Sequence, residues 1–263
     1  MIYKITHSAL KTSIYIDSKI NIDKEIKKIF FGFTLYKEYD IVGDKVFKVK
    51  QNKSNICVIY KEIENIFGNV FEALVFISDY LSRIDLLDYS IFHGSVVLND
   101  LNEGVCLVGA TLAGKTTLSL FLAKNGFKYF SDDSIIIKND NLECFSMQLP
   151  IKIRRGVMWG DPFFKKYIIH ENSDFKIIGN ISKNYNNTAT KIKTFLFLNR
   201  CETKKSIVKK IDDFSLLLME NATSLADLRS LIKICFKINK KANGFLLTYN
   251  SLNNDLIKII KEL

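Results

Sequence analysis

Apolar and polar positions alternate with a two-residue rhythm through most of the first 62 residues. Met1 to His7 reads as a strand with a charge inside it, and Ile14-Tyr15-Ile16 is a second β-prone run closed by Asp17 and Ser18. Ile29-Phe30-Phe31 is an apolar patch that Phe33 and Leu35 continue in alternation beyond Gly32. Further strands are predicted at Val46–Val49 and Ile56–Tyr60, preceded by the turn residues Gly43-Asp44 and Ser54-Asn55. From Ile66 to Leu87 the rhythm changes. Phe67, Val70, Phe71, Leu74, Val75, Ile77 and Leu81 recur mostly at three- and four-residue steps, which predicts an amphipathic helix. This change places a domain boundary near Asn65, with a strand-rich region over 1–65 and a larger α/β domain over 66–263.

Within the larger region, Ser90–Leu98 predicts one strand and Gly104–Val108 a second, joined as a hairpin by the turn residues 99–104. Thr117 to Asn125 carries Leu118, Phe121 and Leu122 at helical spacing, and Gly126 follows it as a C-cap would. Ser134–Lys138 predicts a strand, Asn139-Asp140-Asn141 a hairpin turn, and Ile192–Leu198 another strand. Asp213 to Ile238 is expected to be largely helical, with a closing helix from Leu252 to Leu263.

With 263 residues, 48% of them hydrophobic and 25% charged, the chain suits a soluble globular protein with one main domain and a smaller appendage. Its apolar runs, such as Leu216 to Met219, are far too short for a membrane span, and the first residues do not form a signal peptide. Five scattered cysteines without a Cys-x-x-Cys pair fit a reducing cytoplasm and argue against disulfides or zinc. The net charge of +10 is spread along the chain, with only short pairs at Lys204-Lys205 and Lys209-Lys210. No nucleic-acid module accompanies it, so nucleic acid is disfavoured as a partner. A basic surface suits an acidic peptide, a phosphorylated ligand or a nucleotide.

The chemistry concentrates in residues 109–116. Gly109, Ala110, Thr111, Leu112, Ala113, Gly114, Lys115 and Thr116 fit the phosphate-loop pattern of a Gly, four residues, then Gly-Lys-Thr. Strand, loop and helix in that order aim backbone N–H groups at one concave anion site, which Thr117 would also line. Lys115 would reach the β- and γ-phosphates, and Thr116 would offer its hydroxyl to Mg²⁺. Downstream, Asp132-Asp133 supplies two carboxylates, one for the metal and one to accept a substrate proton. On spacing alone the lone His93 reads as structural.

Taken as an ordered set, Phe92-His93-Gly94-Ser95, Gly104 to Gly109, Gly114 to Leu118, Lys124 to Phe127 and Ser131-Asp132-Asp133 resemble the HPr kinase/phosphorylase family. They are most similar to its shorter members, some of which phosphorylate serine in ribosomally made peptides. The resemblance covers 91–138 closely and the rest loosely. It implies a mixed-sheet α/β phosphate-loop domain related to phosphoenolpyruvate carboxykinase. It further implies that Asp132 accepts the proton, that Asp133 and Thr116 lie near Mg²⁺, and that His93 assists through Asp132 or phosphate. Two departures stand out. The loop carries Thr111-Leu112-Ala113-Gly114 where the family has Ser-Gly-x-Gly. Lys152-Ile153-Arg154-Arg155-Gly156 stands where the HPr enzymes carry Glu-Ile-Arg-Gly, which weakens the case for phosphorylase activity and for HPr as substrate.

The expected function is therefore an ATP- and Mg²⁺-dependent kinase acting on a hydroxyl, serine first, of a peptide or small protein. A kinase for a free amino acid and a nucleotide-dependent regulatory protein are the alternatives. A homo-oligomer is compatible with all three, and a membrane partner with none.

Overall fold

The computed structural model describes residues 1–7, 9–10, 12–41, 43–81, 86, 88–156, 158–179, 181, 189–202, 205–223 and 227–263. Two compact units divide the chain: Met1–Ser82 with Met147–Lys152 and Tyr167–Asn180, and Arg83–Ser146 with Ile153–Lys166 and Ile181–Leu263.

In the first unit, β1 (Ile2–His7) and β2 (Thr12–Ser18) form an antiparallel hairpin, and α1 (Asp23–Ile29) follows. Next come β3 (Thr34–Glu38), β4 (Val46–Asn52), β5 (Asn55–Tyr60), β6 (Ile63–Phe67) and the helix α2 (Val70–Leu81). The six strands lie in the order β3-β1-β2-β4-β5-β6, antiparallel except where β2 meets β4. Alternation decides the faces: in β1, Tyr3, Ile5 and His7 are buried while their neighbours are half-buried.

The strand-like reading of this region misses α1. Seven residues are too few to display a helical period, yet Asp23 and Glu25 in the first turn and Lys27 and Lys28 in the last complement the helix dipole. The helix predicted from Ile66 begins at Val70, because Ile63–Phe67 completes the ladder on β5. Its predicted extension over 82–85 and Leu87 lies outside the described residues. The first segment of this unit extends through α2, whose buried face packs on β5, β6 and α1.

The second unit opens with β7 (Tyr89–Phe92), β8 (Gly94–Leu98) and β9 (Gly104–Val108). The single strand predicted over 90–98 is broken at His93. On either side of the break the chain serves different partners: β7 pairs with β11, and β8 with β9 and β10. After β9 come α3 (Lys115–Lys124), β10 (Lys128–Ser131), β11 (Ile135–Lys138) and β12 (Glu143–Phe145). The strands β14 (Ile168–Glu171) and β15 (Phe175–Ile178) belong to the first unit and, with β13 (Ile151–Arg154), form a three-stranded sheet in the order β13-β15-β14. The chain closes with β16 (Ala189–Arg200), β17 (Ile207–Ile211), α4 (Ser215–Glu220), α5 (Leu228–Asn239), β18 (Asn243–Tyr249) and α6 (Asn254–Lys261). Of the basic pairs, Lys209-Lys210 lies on β17, whereas Lys204 is outside the described residues.

The twelve-residue β16 organises the nine-stranded mixed sheet of this unit. Its first residues pair antiparallel with β12; from Ile192 it runs parallel to β9, and from Thr194 parallel to β18. Buried on both faces, the central strands read as near-continuous apolar runs, such as Val105-Cys106-Leu107-Val108 and Phe195-Leu196-Phe197-Leu198. On one face, Val105, Leu107, Leu196, Leu198 and Leu247 pack against α3 and α6. On the other, Cys106, Val108, Phe195 and Phe197 pack against α4 and α5. The fold is mixed α/β with a three-layer second unit. Among the described residues no helix is long and apolar enough to cross a membrane.

Candidate functional site

Parallel strands deliver their carboxyl ends to one edge of a sheet, where ligands of open α/β sheets bind. At that edge β9 runs out at Val108, and residues 109–114 turn the chain into α3. The Ala113 amide donates to the Ala110 carbonyl across 3.1 Å, and the Leu118 amide to Gly114 across 2.8 Å. Gly114 takes the left-handed conformation, φ 92°. A Cβ there would sit 2.7 Å from the Tyr249 hydroxyl oxygen, so both backbone and space demand glycine. That hydroxyl, at the end of β18, donates to the Ala113 carbonyl at 2.9 Å. Burial raises the Tyr249 pKa above the ordinary tyrosine range, against the opposing pull of Arg200.

No side chain caps the N-terminus of α3. Its first amides and its positive dipole end are thus directed at the loop, the arrangement that favours an anion. Lys115 is buried, and its ammonium donates to the carbonyls of Gly109 at 2.7 Å and Ala110 at 3.0 Å. Burial lowers its pKa, with Asp132 and Asp133 pulling the other way. An ammonium has three donors, so one remains for a ligand. Thr111 and Leu112 are exposed at the loop's tip, where Leu112 holds φ 69°.

The second constellation comes from the turn between β10 and β11. Asp132 is half-buried there and accepts from two hydroxyls: Thr116 Oγ1 donates to Oδ2 at 2.8 Å, and Ser95 Oγ donates to Oδ1. Burial and the neighbouring charge of Asp133 raise its pKa to about 6, while the two hydroxyls and the Asp133 amide pull it down. Asp133 is exposed and left-handed, φ 62°, a conformation aspartate tolerates in turns.

The His93 ring approaches the Asp133 backbone carbonyl, with Nδ1 at 3.2 Å. A carbonyl only accepts, so Nδ1 carries the proton and, in the neutral ring, Nε2 is the free acceptor. The backbone amide of His93 donates to the Asn221 carbonyl at 2.7 Å, which holds the break between β7 and β8. His93 is therefore tied to the Asp132-Asp133 turn through its backbone and not through the Asp132 carboxylate.

Thr116 and Asp132 meet directly. Hydroxyl and carboxylate oxygens are the hard donors that Mg²⁺ takes, and by donating its proton to Asp132 Thr116 keeps lone pairs for a cation. The Thr116 hydroxyl thus fits Mg²⁺, with Asp133 next in the chain to its partner Asp132 as a further hard oxygen donor. Among the described residues no group of three or more His, Cys, Asp or Glu side chains gathers as a metal site. Mg²⁺ needs none, since phosphate oxygens and water complete its shell. Arg154 and Arg155 are exposed, and the Arg155 guanidinium rests 5.9 Å from the centroid of the Trp159 ring.

Ser95 and Tyr249 are the site residues that motif spacing does not reveal. For Ser95 a signal exists: a hydroxyl inside an otherwise apolar strand. For Tyr249 there is none, because it lies 136 residues from its loop partner. Tyr249→Phe is expected to cost about 1 kcal/mol by leaving the Ala113 carbonyl without its donor. Thermal melting of the two proteins checks it.

No family model matches the chain. No curated protein matches it either. Among solved structures, it is similar to the Hpr(Ser) kinase/phosphatase from Coxiella burnetii, at 15% identity and a TM-score of 0.34, over 66% of this chain and 92% of that one. The likeness is weak, and the assignment below rests on the site.

Proposed function

We propose that this protein is an ATP- and Mg²⁺-dependent kinase that phosphorylates a hydroxyl, serine first, of a peptide or small protein. The observation that carries the reading is the meeting of Thr116 and Asp132. Thr116, in the first turn of α3 beside the loop, donates its hydroxyl to a carboxylate brought in by a separate turn. A loop that merely turned the chain would need no such partner.

In this reading the loop amides and Lys115 bind the β- and γ-phosphates and stabilise charge as it develops. Mg²⁺, when bound, would neutralise charge on the phosphate oxygens. Asp132 takes the proton of the acceptor hydroxyl, whose oxygen forms the new bond to the γ-phosphorus while the bond to the bridging oxygen breaks and ADP leaves. With a pKa of about 6, Asp132 is ionised at neutral pH yet basic enough to hold a proton. The net charge of +10 and the exposed lysines favour an acidic or phosphorylated partner over a cationic one.

Transfer of label from γ-labelled ATP, with Mg²⁺, into peptides encoded beside this gene and into free serine tests the proposal. Label is expected in a peptide and lost with Lys115→Ala. Label confined to free serine would replace the peptide by a metabolite. Tight nucleotide binding with no label in either acceptor would favour a regulatory protein.

A further inference from the structure

Ser95 lies in a strand where a hydroxyl has no obvious place. All five residues of β8 are buried; Ser95 itself is 0% exposed, as are Val96, Val97 and Leu98 behind it. Burying a hydroxyl there is unfavourable by about 1–3 kcal/mol unless it finds a partner. Its partner is the Asp132 carboxylate, 37 residues away in sequence.

The pairing does more than satisfy a buried serine. The last torsion of an aspartate side chain is soft and broadly populated, so an unheld carboxylate rotates about its own axis. Asp132 is held on both oxygens, by donors from two different elements: Ser95 from β8 on Oδ1, Thr116 from the first turn of α3 on Oδ2. Each hydroxyl has a single proton to give, and each carboxylate oxygen keeps a lone pair free. The two donors fix the plane of the carboxylate without occupying it. β8 also pairs directly with β9, Ser95 opposite Leu107, so the group that orients Asp132 is built on the strand beside the one that feeds the loop. Orientation within about 10–20° is what a catalytic group requires.

We propose that Ser95 is a positioning residue: its hydroxyl on one oxygen, opposed by Thr116 on the other, sets the plane in which Asp132 meets the acceptor hydroxyl. The inference rests on the kinase reading above.

Steady-state kinetics of the full chain, with ATP and the peptide labelled in the transfer assay, test it. Ser95→Ala removes one oxygen atom, adds no bulk and leaves the strand intact. It is expected to lower kcat by about 10–100-fold, the scale of a misplaced catalytic group. The KM for ATP should stay within twofold, because the loop is untouched. Ser95→Thr, which retains the donor, should recover most of the loss. A kcat within twofold of wild type for Ser95→Ala would overturn the inference. So would a parallel loss of kcat, ATP affinity and thermal stability, which would mark Ser95 as part of the packing alone. Absence of transfer by the wild-type chain is a separate result: it removes the kinase reading, and this inference with it.

Discussion

Asp132→Asn is expected to lower phosphoryl transfer by about 10²–10⁴-fold while making the chain harder to unfold. On the kinase reading proposed above, the first effect follows from removing the group that takes the acceptor's proton. The second follows from its environment. Burial first, and then Asp133 beside it, hold the Asp132 carboxyl above the ordinary 3.8, at about 6. The folded state therefore binds this proton more tightly than the unfolded chain does, and the ionised group works against folding above about pH 6. As pH falls from about 6 towards 4 that penalty disappears. Asparagine carries no charge and keeps an acceptor oxygen for one of the two hydroxyls, so a net gain of about 1–3 kcal/mol is expected. Urea unfolding at neutral and mildly acidic pH checks it: the wild-type midpoint should climb on acidification, and the variant should start higher and lack that climb. A variant that unfolds earlier than wild type at neutral pH would contradict the account.

Gly94→Ala should destabilise the second unit by about 3 kcal/mol, at the upper end of what overpacking costs. A Cβ on Gly94 would lie 2.4 Å from Ile135 Cδ1 and 2.7 Å from the Leu107 carbonyl oxygen. The isoleucine end could turn aside. The carbonyl cannot, because it belongs to the backbone of β9, which β8 pairs along its length. Relief must come from shifting β8 against β9, which carries His93 on one side and Ser95 on the other. Activity is therefore expected to fall even where the variant remains folded, and circular dichroism melts read beside ATP turnover separate the two losses. Gly94→Ala with wild-type melting and turnover would show that the strands have slack the geometry denies them.

Much of this was legible in the chain, for physical reasons that differ from place to place. Gly104–Val108 followed by the loop and Leu118, Leu122 at helical spacing announces strand, turn and helix, because those side chains are buried by their own local geometry. The pairing of β8 with β9 is written in the turn residues 99–104 between them. By contrast, nothing local separates β7 from β8: the run Ser90–Leu98 is apolar throughout, and the break at His93 exists because the two halves join different strands. The unit to which α2 belongs is hidden for a related reason. The pattern around Asn65 marks a change of periodicity, but a helix belongs to whichever sheet covers its apolar face, and for α2 that sheet lies behind it in sequence. In the site, Lys115, Thr116 and Asp132 stand out by residue type and spacing. The hydrogen bond from Thr116 to Asp132 forms at a turn whose second residue, Asp133, adopts φ 62°, which sequence does not announce.

The clasp between Tyr249 and the Ala113 carbonyl has a consequence for how the protein is made. A ribosome releases residues 109–114 well over a hundred residues before Tyr249, and the loop's keeper is in the last strand of the chain. The parallel neighbour β16, which stands between β9 and β18, also arrives late. During synthesis the nascent chain thus carries its most recognisable motif without the parts that shape it. The loop gains its clasp only when β18 docks beside β16, so a chain truncated before Tyr249 would display the motif and lack it.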